Sequence, residues 1–182
     1  MVTLKHLIII PLLAACIIFT RPSVASCPPI VLKYSPAASE LAGRIMKLKE
    51  RYWLEYKNAE DLLETCQIIV DLAPYTRFDK NDIAALILKE SRFNHRAVNK
   101  KDGGRGLGQL TRIKDWHSDT LFWMTDPFDK RQNIIGMLIV LEDNFRRHKT
   151  KFLAVKTYNG FHWRSQKYAE DFLRKKRELI SA

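Results

Sequence analysis

The chain has 182 residues, 46% of them hydrophobic and 28% charged, and a formal net charge of +11. That length suffices for one domain with a real core, and so ordinary a composition excludes a disordered or collagen-like protein. The charge favours anionic surfaces such as cell wall or phospholipid headgroups. Because the cations are scattered among acids, nucleic acid is not an expected partner.

The N-terminus reads as a secretory signal covering residues 1–26. "MVTLKH" supplies a basic start, "LIIIPLLAACIIFT" an apolar middle, and "RPSVAS" the small residues that precede a cut after Ala25 or Ser26. As a helix the apolar run would span about 21 Å against a bilayer core of roughly 30 Å, so an uncleaved anchor is disfavoured. "LAAC" and "VASC" each resemble the box before a lipidated cysteine, but neither is well placed, and lipid anchoring is the less favoured reading. Cleavage would remove Lys5 and Arg21 and no acid, taking the charge from +11 to +9. The expected destination is the periplasm or the exterior.

Residues 27–36 read as an extended leader and 37–182 as the domain. Helical spacing runs from Ala37 to Tyr56, with Leu41, Ile45, Leu48, Tyr52 and Tyr56 near one face. Asn58 caps a second helix, "AEDLLETCQIIVDLA", which Pro74 ends. Cys66 lies on it, as a buried thiol or as a disulfide partner of Cys27, with the first favoured. Phe78, Asp79, Asp82 and Ile83 supply a capping box and a hydrophobic staple, so a third helix starts near Lys80. Its apolar run from Ile83 to Leu88 predicts a helix covered on most sides.

Glu90 stands on that helix's apolar face, at i+7 from Ile83, with Leu86 and Ile87 between. Poor hydration there favours the neutral carboxyl, the state a general acid needs. The competing reading pairs it with Arg92 or Arg96, or turns it to solvent.

After Asn94 the periodicity stops. "NKKDGGRGLGQL" holds four of the chain's seven glycines and predicts a tight loop or small hairpin. It is neither a P-loop nor a dinucleotide fingerprint. It is an ordinary turn, or a place where backbone approaches a bulky ligand and Gln109 offers an amide to a sugar. "TRIKDWHSDTLFWMTDPFD" is irregular and aromatic. Trp116, Trp123, Phe161 and Trp163 either fill the core or stack on sugar rings. His117, His162 and Ser91 lack the context of a nucleophilic triad. Helical pattern returns in "NIIGMLIVLEDNFRRH", "KFLAVKTY" and "SQKYAEDFLRKKRELI", and the basic "RKKRE" reads as a solvated helix face. No repeat and no run of alternating strands is present, and no Cys/His cluster has metal-ligand spacing. The class is mostly α, with no metal or other cofactor expected.

In order, "ESRFN" (Glu90 to Asn94), "GRGLGQLT" (Gly104 to Thr111), Asp126-Pro127, "NIIG" (Asn133 to Gly136) and "TYNG" (Thr157 to Gly160) resemble the soluble lytic transglycosylases, relatives of goose-type lysozyme. The resemblance covers roughly Asp79 to Phe172. It implies a lysozyme-like α-helical domain with the glycine-rich loop or hairpin beside the active-site cleft. It also implies cleavage of the β-1,4 bond between N-acetylmuramic acid and N-acetylglucosamine in peptidoglycan. Glu90 matches the family's catalytic acid/base. Ser91, Gln109, Tyr158, Asn159 and Tyr168 match positions that flank the carboxyl or the bound sugar. The family usually has proline where this chain has His95, and methionine where it has Gly108. The expected partner is the glycan strand, met by a monomer that a cell-envelope or secretion complex can recruit. Two alternatives stay open. One is a goose-type lysozyme, with Asp102 orienting water; the other is a wall-binding protein without catalysis.

Overall fold

Seven α-helices follow one another in a computed structural model that describes residues 33–111, 124–160 and 165–182. They are α1 (Pro36–Lys47), α2 (Lys49–Tyr52), α3 (Ala59–Leu72), α4 (Lys80–Glu90), α5 (Lys130–His148), α6 (Lys151–Tyr158) and α7 (Ser165–Ser181). A short 3₁₀ turn, Ala73–Tyr75, follows α3. The described residues contain no strand, only isolated bridges within the glycine-rich loop. The fold is mostly α, as the sequence predicts. The signal segment, Cys27, and the aromatic positions Trp116, Trp123, Phe161 and Trp163 lie outside the described residues, as do His117 and His162.

The core is built around α4. Every residue from Asp82 to Leu88 is buried, so this helix has no solvent face along its middle. It packs against α3 on one side and α7 on another, while α5 and α6 pair with each other and α1 lies on α3. Burial of Ile83, Leu86, Ile87 and Leu88 contributes roughly 1.5–3 kcal/mol for each side chain. The predicted start holds: Asp79 accepts from the backbone of Asn81 at 2.8 Å and Asp82 at 2.9 Å, and Asp82 accepts from Asp79 N–H at 3.1 Å.

Two sequence expectations need correction. The helix expected from Ala37 to Tyr56 is two helices. At Leu48 the backbone leaves helical geometry, its N–H turning to the Ile45 carbonyl, and Trp53 in the left-handed region ends the second piece. Leu48 is buried on the same face as Leu41 and Ile45, so the hydrophobic pattern runs through the break and conceals it. The basic run at the C-terminus is also not a fully solvated face. Lys175 binds Asp171 at 3.1 Å, and Lys176 reaches Asp82 at 2.6 Å and Asp79 at 2.9 Å. Lys151 completes the neutralisation of buried Asp82 at 2.7 Å. A charge as deeply buried as Asp82 requires such partners.

These pairs set the acid limit of the fold. Burial opposes ionisation of Asp79 and Asp171. At Asp79 the Lys176 ammonium and the backbone N–H groups of Asp82 and Asn81 overcome it; at Asp171 Lys89, Lys175 and Arg174 do, and both carboxyls are held at about 2. Their folded values lie below the ordinary 3.8, so the stability they add is complete above that pH and is lost as pH falls toward about 2. Equilibrium unfolding across this window is expected to show a steep decline. Asp171→Asn should flatten part of it, because that position then no longer binds a proton on unfolding.

Candidate active site

The C-terminus of α4 delivers Glu90 to the protein surface, half-buried, at the end of the most enclosed helix. The chain stops helical progress at once. Ser91 is buried and its hydroxyl donates back to the Ile87 carbonyl at 3.2 Å, so it seals the helix end. Arg92 and Phe93 then adopt φ of 55° and 65°, a left-handed pair without glycine. Such backbone costs on the order of 1–3 kcal/mol per residue and persists only where the surroundings enforce it. Here Phe93 is wholly buried, and the Arg92 carbonyl accepts from Glu55 N–H at 2.9 Å. Arg92 pairs with Glu55 at 3.0 Å.

Two tyrosines from different helices converge on the carboxyl. The Tyr168 hydroxyl, from α7, donates to Glu90 Oε1. Lys89, paired with Asp171 at 2.5 Å, lies over the Tyr168 ring at 4.3 Å and so fixes that ring from the other side. Tyr158 closes α6, and its hydroxyl donates to the Gly108 carbonyl at 2.5 Å. Burial, and after it the charge of Glu90, pushes both phenols well above their usual 10.0. Both therefore remain protonated donors and cannot serve as bases. Asn159 caps the end of α6, directly after Tyr158.

The glycine-rich segment is a pair of tight turns stitched by backbone bonds. Asn99 N–H donates to the Gly104 carbonyl and the Asn99 carbonyl accepts from Gly103 N–H, both at 2.8 Å, while Arg105 and Leu110 exchange N–H and carbonyl at 3.0 and 3.1 Å. A single buried side chain from α5 holds it in place. Asn133 donates to the carbonyls of Arg105 at 3.0 Å and Pro127 at 2.8 Å, and accepts from Gly108 N–H at 2.7 Å. Asn133→Ala would leave three backbone groups without this partner, and a loss of roughly 2–4 kcal/mol is expected in denaturant unfolding. Gln109, at φ 50°, donates its amide to the Ala97 carbonyl at 3.3 Å and the Gly106 carbonyl at 2.9 Å. Its donors thus brace the loop.

Glu90, Tyr158, Tyr168 and the loop carbonyl at Gly108 are therefore brought into one place by α4, α6, α7 and the hairpin. The order of those pieces along the chain is the order of the motifs in the sequence. A family model described as the transglycosylase SLT domain matches residues 72–180. The chain belongs to the SLT domain family. That membership makes it a lytic transglycosylase-type protein acting on peptidoglycan. No curated protein and no solved structure gave a significant match.

Within this SLT domain Gly108 and His95 each meet a specific neighbour. A side chain at Gly108 would meet Met137 of α5, whose Cβ, Cγ and Sδ lie 2.9 to 3.1 Å from where its Cβ would stand. Met137 thus fills the space from the other side. His95 places Nδ1 3.3 Å from Asp61 Oδ1, in a cluster where Lys130 also binds Asp61 at 2.6 Å. Burial, with Lys130 and Arg96 against Asp61, holds the His95 ring below its usual 6.5. Asp102 accepts from Gly104 N–H at 3.0 Å, inside the SLT domain's hairpin.

Asn133 and Lys89 were not singled out as site residues from the sequence. For Asn133 a signal existed: it shares the stripe of Met137 and Leu141 at four-residue spacing, a polar residue on a buried face. For Lys89 none did, because its partners Asp171 and Tyr168 are distant in the chain. Among the described residues, no group of three or more His, Cys, Asp or Glu is placed to hold a metal ion.

Proposed function

We propose that the chain is an exported, monomeric lytic transglycosylase that cleaves the MurNAc–GlcNAc bond of peptidoglycan with Glu90 as its one acid and base. The observation that carries this reading is a half-buried carboxyl at the end of an enclosed helix, held by the Tyr168 hydroxyl. The Tyr168 hydroxyl, donating to Oε1, stabilises the carboxylate once the proton has gone.

In the proposed sequence, Glu90 gives its proton to the leaving glycosidic oxygen as the bond to C1 breaks. The substrate's own 2-acetamido oxygen supports C1. The Glu90 carboxylate then takes the proton of the muramyl 6-hydroxyl, whose oxygen bonds to C1 and closes a 1,6-anhydro ring. Glu90 ends protonated, as it began, and no water is consumed. A second carboxyl, which glycosidases usually place about 5–9.5 Å from the first, is not required. The use of Asp102 within the hairpin favours this reading over a lysozyme in which Asp102 orients water. The Tyr158 hydroxyl fixes the loop that walls one side of the site, and Asn159 and the Gln109 carbonyl are the proposed contacts to the sugar.

Digestion of purified wall by the mature protein tests the proposal. Released fragments should end in muramyl rings lighter by one water than a hydrolysed end. Fragments with reducing muramyl ends, or no release at all, would overturn it.

A further inference from the structure

The hairpin between Ala97 and Leu110 carries a feature that cleavage chemistry does not use. Arg96, Lys100, Lys101 and Arg105 are all exposed on it and beside it. Elsewhere the cations of this basic chain are mostly committed to acids: Lys89 to Asp171, Lys130 to Asp61 and Glu64, Lys151 and Lys176 to Asp82, and Lys175 to Asp171. Among the described residues, none of the four hairpin cations is paired with an acid, whereas neighbouring Arg92 binds Glu55. The acid among them, Asp102, turns inward to Gly104 N–H at 3.0 Å. Four cations against one occupied carboxylate leave a local positive surface.

That surface is held rigidly. Asn99 accepts from Lys101 N–H at 3.0 Å and shapes the tip, while Asn133 and Tyr158 grip the base at Gly108. Arg105 lies three residues from Gly108, so its Cα is within about 11 Å of the residue whose carbonyl Tyr158 caps. Its side chain is therefore within reach of a glycan lying over Glu90.

Resting on the proposed function, we propose that this hairpin binds the carboxylates of the peptide stems borne by the same glycan strand that Glu90 cleaves, so that the chain selects peptide-substituted over bare glycan. Carboxylate is the chemistry that the arginine fork pairs with in two parallel bonds. Stem carboxylates also arrive on the substrate itself, so no second partner has to be recruited.

The test measures binding in the Glu90→Gln background, so that the polymer survives the assay. Three probes are compared in cosedimentation: stem-bearing glycan free of phosphate polymers, the same glycan stripped of stems by an amidase, and stem-bearing glycan with its carboxylates amidated. Stem-bearing glycan should bind about tenfold more tightly than the other two, the sum of several weak exposed pairs. The triple substitution Lys100→Gln, Lys101→Gln, Arg105→Gln should bring that ratio to about one. A ratio untouched by these substitutions, or by amidation, would overturn the proposal. So would a preference seen only on walls that retain phosphate polymers. Cleavage products from the chain with Glu90 intact, measured alongside, judge the proposed activity separately from the binding ratio.

Discussion

Replacing Glu90 by glutamine is expected to lower the rate of glycan cleavage by on the order of 10²-fold or more while the fold stays intact. Glutamine keeps the shape of the side chain and an oxygen to accept from Tyr168, so the tyrosine and the ion pair of Lys89 with Asp171 remain in place. What it removes is the proton that can be given and taken back. The stability of the variant should match that of the parent in a thermal melt, because the amide keeps the size of the side chain and its oxygen for the Tyr168 hydroxyl. A wall-binding protein without catalysis would show no change in any wall-directed activity on this substitution.

Gly106→Ala should have the largest effect on the fold of any conservative change at the site. Its φ is +73°, and a Cβ there would stand 2.3 Å from both the Pro127 carbonyl oxygen and the Asn133 amide nitrogen. Neither can retreat: one is backbone, and the other is the buried side chain that anchors the hairpin. Left-handed strain and the overpacking together are expected to cost roughly 3 kcal/mol or more. Gly103→Ala is the matched control, since its φ is +78° and a Cβ would meet nothing within 4 Å. It carries the strain without the clash, at about 1 kcal/mol, and the difference between the two unfolding energies isolates the close approach. Activity should fall with Gly106→Ala, because the shifted loop draws the Gly108 carbonyl away from Tyr158.

Local chemistry made much of this molecule legible in advance. The start of α4 follows from Asp79 and Asp82 alone, because a capping box is completed within four residues. The amphipathic face of α1 and the end of α3 before Pro74 are equally local. Cys66 is buried, as its place on the apolar face of α3 predicts, and burial pushes the thiol up to about 12, far from reactivity at neutral pH. The break at Leu48 is concealed by a hydrophobic pattern that runs through it, whereas the other departures come from partners remote in the chain. Lys176 reads as solvated because its carboxylates sit at Asp79 and Asp82, nearly a hundred residues upstream. The glycines predict a turn, yet only the position of Asn133 on a later helix decides which loop carbonyls face inward. Likewise the acid at Glu90 can be suspected from its spacing, but its hydroxyl donor comes from α7, which no periodicity within α4 reveals.

In the proposed reaction a single carboxyl does the work of both acid and base without water. Digestion of purified glycan in water enriched in heavy oxygen tests that most directly. The new muramyl ends should carry no heavy oxygen, because the oxygen that closes the ring is the sugar's own. Heavy oxygen at C1 of those ends would mean that water attacked, and the single-carboxyl cleavage would be contradicted.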